Sequence, residues 1–379
     1  QLNQMNFNKY HHHLLLLLIT FFSSALIWFL FYKNIPRFLG FPATSLETIY
    51  ANYDGPNYMI IAKCGYNKDC IRQQFSLPLP LEYYPAHLPA FPLLIKIFSL
   101  FLTTPKAMLL VCLLGSAFFT LSCYYFFRLF FSEKKSFWLS FLIIFFPARL
   151  FILRLIGAPE TWFLGSIIFS IVFFKKNKFL PSALFGVFAQ LLKSPGILLF
   201  VAYAFTFLFE YIKSKKINKN YLWYLLIPIS ALGIFYLYYL QTGDFWAYFN
   251  SGDNIHLTPF PYQVFVSNRS WISTIWLEDI IYILIFCFFA LKTLWKKYSR
   301  DIVFIFPFVF TLATIMVAHR DISRYIAPVY PFVFLAFGNK ITKKKNRLLF
   351  YLLIPAVLLY AINFVIGNTA PVDNWTPYL

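Results

Sequence analysis

The chain has 379 residues, 60% of them hydrophobic and only 12% charged, with a mean hydropathy of +0.65. A soluble globular domain carries roughly 25% charged residues, so the composition excludes a water-soluble protein and leaves no room for a soluble domain of any size. The net charge of +19 sits in short Lys/Arg clusters between apolar runs. That placement orients helices in a bilayer and excludes nucleic-acid binding, which needs a basic soluble face.

A helix needs roughly 17–25 mostly apolar residues to cross the hydrocarbon core, and such stretches recur from Leu14 to Ile366. The first, Leu14–Tyr32, follows His11, His12 and His13. No small-residue cleavage site follows it, so it reads as a retained helix and not a signal peptide. The further spans are Ala107–Phe131, Phe137–Leu153, Thr161–Phe174, Phe179–Leu192, Gly196–Ile212, Tyr221–Leu240, Ile280–Leu294, Ile302–Val317, Tyr325–Phe337 and Leu348–Ile366. The expected fold is an all-α polytopic membrane protein of about 11 transmembrane helices, with 1–379 forming one unit.

The apolar stretch Leu88–Thr103 is read as an interfacial helix on the outer leaflet. As a crossing it would put Glu133, Lys134 and Lys135 outside. As an interfacial helix it leaves Arg128–Lys135, Lys175–Lys178, Lys213–Asn220, Lys292–Asp301 and Lys340–Arg347 all on one side. The positive-inside rule makes that side, and the N-terminus, cytoplasmic. Only Glu133, Glu210 and Asp301 join it. Glu47, Asp54, Asp69, Glu82, Glu160, Asp244, Asp253, Glu278, Asp279, Asp321 and Asp373 gather at the outer face. Acids barely influence topology, so their enrichment directs attention to chemistry there.

Two outer segments are long. Lys33–Leu88, with the interfacial helix, makes a first extracytoplasmic loop of 34–105; Gln241–Asp279 makes a second over 241–279. Loops this long are usually functional or disordered, and their Trp, Tyr, Phe and Pro content argues against disorder. Cys64 and Cys70 share the first loop, where a disulfide is one reading and a helix holding them apart the other. Cys112, Cys123 and Cys287 lie within spans and should be inert.

The first loop carries Tyr53-Asp54-Gly55-Pro56-Asn57-Tyr58, then Ile61-Ala62-Lys63-Cys64-Gly65-Tyr66, then Tyr84-Pro85 and Phe91-Pro92-Leu93-Leu94-Ile95. This series resembles the PIG-V-like mannosyltransferases, glycosyltransferases of the GT-C fold. The resemblance continues through Gly157-Ala158-Pro159-Glu160-Thr161, Leu192-Lys193-Ser194-Pro195-Gly196-Ile197 and Arg324-Tyr325 with Pro328 and Pro331. It departs at Tyr53, where the family usually has Trp, and at Pro159. What it implies is transfer of a sugar, mannose, from a polyprenyl-phosphate donor to a lipid-linked glycan or other outer-face hydroxyl, with inversion and with Asp54 as catalytic base.

The residues carry their own readings beside this. Asp54 stands in a turn made by Gly55 and Pro56, so it projects from a fixed backbone; capping the next helix is the plain alternative. Glu160 opens a span at the positive end of a helix dipole and equally suits a second catalytic carboxylate. Lys193 lies between two apolar runs on the outer side, where a costly charge is a functional hypothesis and headgroup snorkelling the alternative. Arg320 and Arg324, beside His319, form a second basic site for a donor phosphate, with Asp321 able to pair with either. Arg149 and Arg154 divide between headgroup anchoring and phosphate contact. Tyr58, Tyr84, His87, Trp246 and His256 are candidate substrate contacts; for the Asp244–Asp253 aromatic stretch an interfacial belt is equally natural.

No His/Asp spacing matches a metal motif, so no cofactor is obliged, and a divalent cation is left open. The absence of a Gly-rich phosphate loop fits a lipid-linked donor. A multi-span transporter or lipid flippase is the competing class, although no internal repeat is visible; a non-catalytic subunit is the third. The Phe-, Tyr-, Lys- and Asn-rich composition and short chain suggest a prokaryotic plasma membrane, while endoplasmic reticulum would present the same topology.

Overall fold

The computed structural model describes residues 2–252, 256–266 and 276–379, and every regular element in them is helical. The order begins with α1 (Leu2–Tyr32) and the four short helices of the long segment that follows it, α2 (Leu46–Tyr50), α3 (Gly55–Cys64), α4 (Lys68–Gln74) and α5 (Ala90–Phe98). There follow α6 (Thr104–Arg128), α7 (Glu133–Phe145), α8 (Ala148–Leu153), α9 (Glu160–Lys175), α10 (Phe179–Leu192), α11 (Ile197–Ser214) and α12 (Leu226–Thr242). The last five are α13 (Trp276–Tyr298), α14 (Ile302–Ile315), α15 (Ile322–Tyr325), α16 (Tyr330–Ile341) and α17 (Lys344–Gly367). Asp253 lies outside the described residues.

Five stretches are long and apolar enough to cross a membrane: His11–Tyr32, Thr104–Arg128, Ser194–Ser214, Lys219–Thr242 and Lys344–Gly367. With the shorter apolar helices they make a membrane-embedded helical bundle. Helix α6 is its centre, with 72% of its apolar window buried. Without a hydrophobic drive between helices in lipid, polar contacts and close packing hold such a bundle; Thr20 of α1 meets Thr120 of α6 at 3.2 Å. The apolar residues that remain exposed, such as Phe22, Leu232, Phe286 and Leu352, belong on the lipid side of their helices.

Three expected elements differ in form. The span expected over Phe137–Leu153 breaks at Phe146-Pro147, a cis peptide, into α7 and α8, because proline has no N–H to continue the helix and restricts the residue before it. The span expected over Tyr325–Phe337 is divided between α15, a 3-10 turn at Ala327–Val329 and α16, with Pro328 and Pro331 at the joints. The stretch Leu88–Thr103 contains only the nine-residue α5. At about 1.5 Å per residue it reaches less than half the hydrocarbon thickness of about 30 Å. It buries Phe91 and Ile95 and exposes Leu93 and Ile97, an amphipathic pattern.

The segment between α1 and α6 is tied down. Gly65 ends α3 with φ +60°, a conformation that glycine adopts without steric cost, and the chain turns back through Asn67, whose side chain caps α4 by accepting from the Cys70 N–H at 2.9 Å. Cys64 and Cys70 thereby come within 5.7 Å, Cα to Cα, and form a disulfide. At its other end the segment pairs with the chain after α17: Tyr53 N–H donates to Asn368 O at 3.0 Å, and Ala370 N–H to Ala51 O at 2.7 Å.

Candidate active site

Helix α3 begins Gly55-Pro56, and proline in the first turn sacrifices no helical hydrogen bond. Asp54 occupies the N-cap position, yet its side chain makes no capping bond, so the carboxylate is left to other partners. The capping alternative for Asp54 therefore does not hold. Its Oδ2 accepts from Arg324 Nη2 at 3.3 Å, and its Oδ1 lies 3.6 Å from His87 Nε2. The side chain is 24% exposed. Burial pushes the carboxyl up, but His87, Arg324 and Lys193 outweigh it and hold Asp54 well below the usual carboxylate range.

Glu160 is the first residue of α9 and is buried, with Oε1 accepting from both Lys193 Nζ and Arg324 Nε at 2.6 Å. Burial raises its carboxyl too, and Arg324 and Lys193 override that to hold it at about 2. Lys193 follows the last residue of α10 in extended conformation, ahead of the 3-10 turn Ser194–Gly196. Burial pulls its ammonium down despite Glu160. Asp54, Glu160, Lys193 and Arg324 thus form one chain of contacts, with Arg324 linking the two carboxylates.

Two glycines permit this convergence. A Cβ on Gly157 would lie 2.7 Å from Gly55 Cα and 2.4 Å from Met108 Sδ, so the turn carrying Glu160 packs directly on the turn carrying Asp54. Behind the cluster Arg149 pairs with Asp321, and both reach the Tyr53 hydroxyl. Tyr53 takes a left-handed conformation, φ +54°, and its ring has the Arg324 guanidinium at 4.8 Å and that of Arg149 at 5.3 Å, within cation–π reach. Asp321 pairs with Arg149, not with Arg320 or Arg324 as its sequence position suggests.

Of the other expected site residues, His87 joins the cluster through Asp54 and the rest fall into separate places. His87 is buried, its ring edge-on to Tyr58 with centroids 5.0 Å apart, and Tyr66 OH donates to its carbonyl at 2.6 Å. The His256 ring lies tilted against that of His319, centroids 4.4 Å apart. Arg320 is exposed and lies apart from Lys193, at the mouth of another cavity. Tyr84 is buried in the 3-10 turn Leu81–Ala86 and Trp246 is 56% exposed among Phe235, Phe245 and Phe249; no hydrogen bond or ion pair of the charged cluster involves either. Phosphate or headgroup contact does not hold for Arg154. It is fully buried, donating to Ile144 O at 2.8 Å, Thr20 O at 3.2 Å and Ser23 Oγ at 3.4 Å, so its guanidinium ties α1 to the end of α7.

Beside the cluster opens an apolar cavity of about 400 Å³ between α10, α11, α12 and α14. Ser194, Pro195 and Tyr325, the chain neighbours of Lys193 and Arg324, line its polar end, while Leu198, Ile234 and Phe235 line its length. Tyr248 OH donates to Ser194 Oγ at 2.6 Å there. Among the described residues no group of three or more His, Cys, Asp or Glu is placed to hold a metal ion.

The helical fold is similar to that of solved membrane glycosyltransferase structures. Cupriavidus metallidurans ArnT, in its structure bound to undecaprenyl phosphate, superposes with a TM-score of 0.56 at 12% identity, covering 93% of this chain and 76% of its own. The Archaeoglobus fulgidus oligosaccharyltransferase in the apo form gives 0.53 at 13% identity, covering 97% of this chain. The same organism's AglB, in complex with an inhibitory peptide and a dolichol-phosphate, gives 0.53 at 12% identity. This chain spans 57% of the length of each oligosaccharyltransferase chain. Comparison of the sequence with protein-family models and with curated proteins gives no match.

Proposed function

We propose that the chain is a membrane glycosyltransferase that moves a sugar, mannose on the PIG-V-like resemblance, from a polyprenyl-phosphate donor to a lipid-linked glycan or another hydroxyl acceptor at the outer face. The observation that carries this is the junction of the Asp54–Arg324–Glu160–Lys193 cluster with the apolar cavity, a polar end and an apolar length that match a prenyl phosphate. The fold shared with ArnT, a protein crystallised with undecaprenyl phosphate, supports the same reading.

In this mechanism the prenyl chain lies in the cavity and the phosphate sits at Lys193 and Arg324. An ammonium has three N–H donors and a guanidinium five; Glu160 takes one from Lys193, and Glu160 and Asp54 take one each from Arg324, so both retain donors for a phosphate oxygen. The acceptor oxygen attacks the anomeric carbon opposite the phosphate, the bond to the phosphate oxygen breaks with inversion, and Asp54 receives the hydroxyl proton. Donors aimed at the developing phosphate charge lower the barrier. A carboxylate as acidic as Asp54 is a weak base, so the proton moves only as the new bond forms. Glu160 holds the two cations in register.

The test is transfer from radiolabelled polyprenyl-phosphate mannose by purified wild type and Asp54→Asn. The substitution should lower turnover about 10²–10⁴-fold, the range of general-base contributions, with donor binding retained. Undiminished transfer by Asp54→Asn removes the base assignment, and substrate uptake into proteoliposomes without transfer favours a transporter.

A further inference from the structure

On the far side of the Arg149–Asp321 pair from Asp54 lies a second cavity, of about 430 Å³, that the mechanism above does not use. It sits between α13, α16 and α17. Arg149, Arg320 and Asp279 stand at its polar end, and Ile283, Phe286 and Val333 line its apolar part. Arg149 is 5% exposed, and Asp321 and Tyr53 engage only its Nη2; Nε and Nη1 are buried and meet no acceptor at hydrogen-bond distance, with the Tyr360 side chain beside the guanidinium and the Phe364 ring 4.1 Å from its centre. Buried polar groups are ordinarily satisfied, and each orphan asks for an explanation. Leaving guanidinium N–H groups without an acceptor in a buried wall is costly. Arg320 adds a second, exposed guanidinium at the same end.

The outer wall supplies the other half of the argument. Tyr282 and Phe286 on α13 are 52% and 61% exposed, so the helix presents an apolar flank outward beside the cavity. A ligand arriving along that flank would be an amphiphile already in the bilayer. Its anionic group would meet Arg149 and Arg320, since guanidinium donors suit phosphate oxygens, while Asp279 accepts from a headgroup hydroxyl. The volume falls within the range of about 300–1,000 Å³ typical of ligand pockets.

We propose that this second cavity binds a lipid whose phosphate or phosphodiester headgroup carries a net negative charge, with the charged group on the Arg149 Nε–Nη1 edge and Arg320, and the first part of the tail along Ile283, Phe286 and Val333. This divides four basic residues of the region between two anions: Lys193 and Arg324 serve one, Arg149 and Arg320 the other. On the glycosyltransferase reading the second lipid is the acceptor or a bound neighbour of it. The binding site itself stands independently of that reading.

The experiment uses the purified full chain in phosphatidylcholine nanodiscs doped with photoactivatable phosphatidylglycerol, with the crosslinked peptides identified by mass spectrometry. Labelling is expected on α13 and α16 near Ile283–Phe286 and Val333. It should fall at least fivefold in Arg320→Gln and in Val333→Trp, which fills the apolar part; Arg320 is exposed, so its variant should fold even if one at Arg149 does not. Lys193→Gln, run in parallel, should abolish sugar transfer and leave this labelling intact, which separates failure of the site from failure of the proposed function. Labelling unchanged in both Arg320→Gln and Val333→Trp overturns the proposal, as does equal competition by unlabelled phosphatidylcholine. Competition by millimolar inorganic phosphate alone would also overturn it, by marking a free-anion site in place of a lipid site.

Discussion

Arg324 holds two carboxylates that would otherwise repel one another, and the pH response should show it. Asp54 and Glu160 both have folded-state pKa values below the usual carboxylate range, which is near 3.9 for Asp and 4.3 for Glu. The folded state therefore binds fewer protons than the unfolded one as pH falls through these values. The stabilisation is complete above the unfolded pKa values and is lost as pH drops below them toward the folded ones. Asp54 stays ionised across the working range, so kcat/KM for sugar transfer should be flat from pH 8 to pH 5 as far as this group is concerned. A pH–rate profile with an acid limb centred near 6 would assign the essential base to another group. Four members of this cluster were legible in the sequence: Lys193 as a charge between two apolar runs, Glu160 at the opening of a span, and Asp54 and Arg324 within the motifs of the family resemblance. The Arg149–Asp321 pair was not, since the partners are 172 residues apart and Asp321 has two nearer arginines. Arg154 misled for the opposite cause: a basic residue at the end of an apolar run looks like a rim anchor, whereas packing against α1 buries it completely.

At the level of elements, the active geometry depends on one turn lying on another. Gly157 precedes α9 by three residues and has no space for a side chain. Met108 Sδ, the flexible end of a neighbour, could move aside, but Gly55 Cα belongs to the backbone that positions Asp54. Gly157→Ala should therefore shift Glu160 relative to Asp54 and lower kcat by about 10²-fold, the scale of a 1 Å misplacement, with about 1–3 kcal/mol of destabilisation from overpacking. Adding Met108→Ala should restore part of the stability and little of the activity, because the contact with Gly55 remains. Full recovery of transfer in the double variant would show that the sulfur contact, not the backbone contact, matters. Thermal unfolding and single-turnover transfer measure the two effects separately. Such a contact joins two short segments distant in sequence, and nothing local in Gly157-Ala158-Pro159-Glu160 announces it. The length of the apolar runs located the long elements, while their breaks at Pro147 and around Pro328 required reading proline as a stop inside an apolar run.

For the whole molecule, the decisive arrangement is which side of the membrane the charged cluster faces. The basic loops share one side only if α5 lies along the surface, and its nine residues suit that role. Between the first outer segment and the loop at Lys213–Asn220 the chain then crosses five times, through α6, α7 with α8, α9, α10 and α11, and the two loops lie on opposite sides. If α5 crossed as well, six crossings would return them to the same side. The chain's own cysteines allow a clean measurement, since Cys64 and Cys70 are joined and Cys112, Cys123 and Cys287 are buried. A membrane-impermeant maleimide should label Ser76→Cys in intact cells and Lys216→Cys only after permeabilisation, both positions being exposed. Labelling of both in intact cells would make α5 a crossing. The reverse pattern would put Asp54 on the cytoplasmic face and remove the extracytoplasmic reaction from consideration, whatever the identity of the sugar.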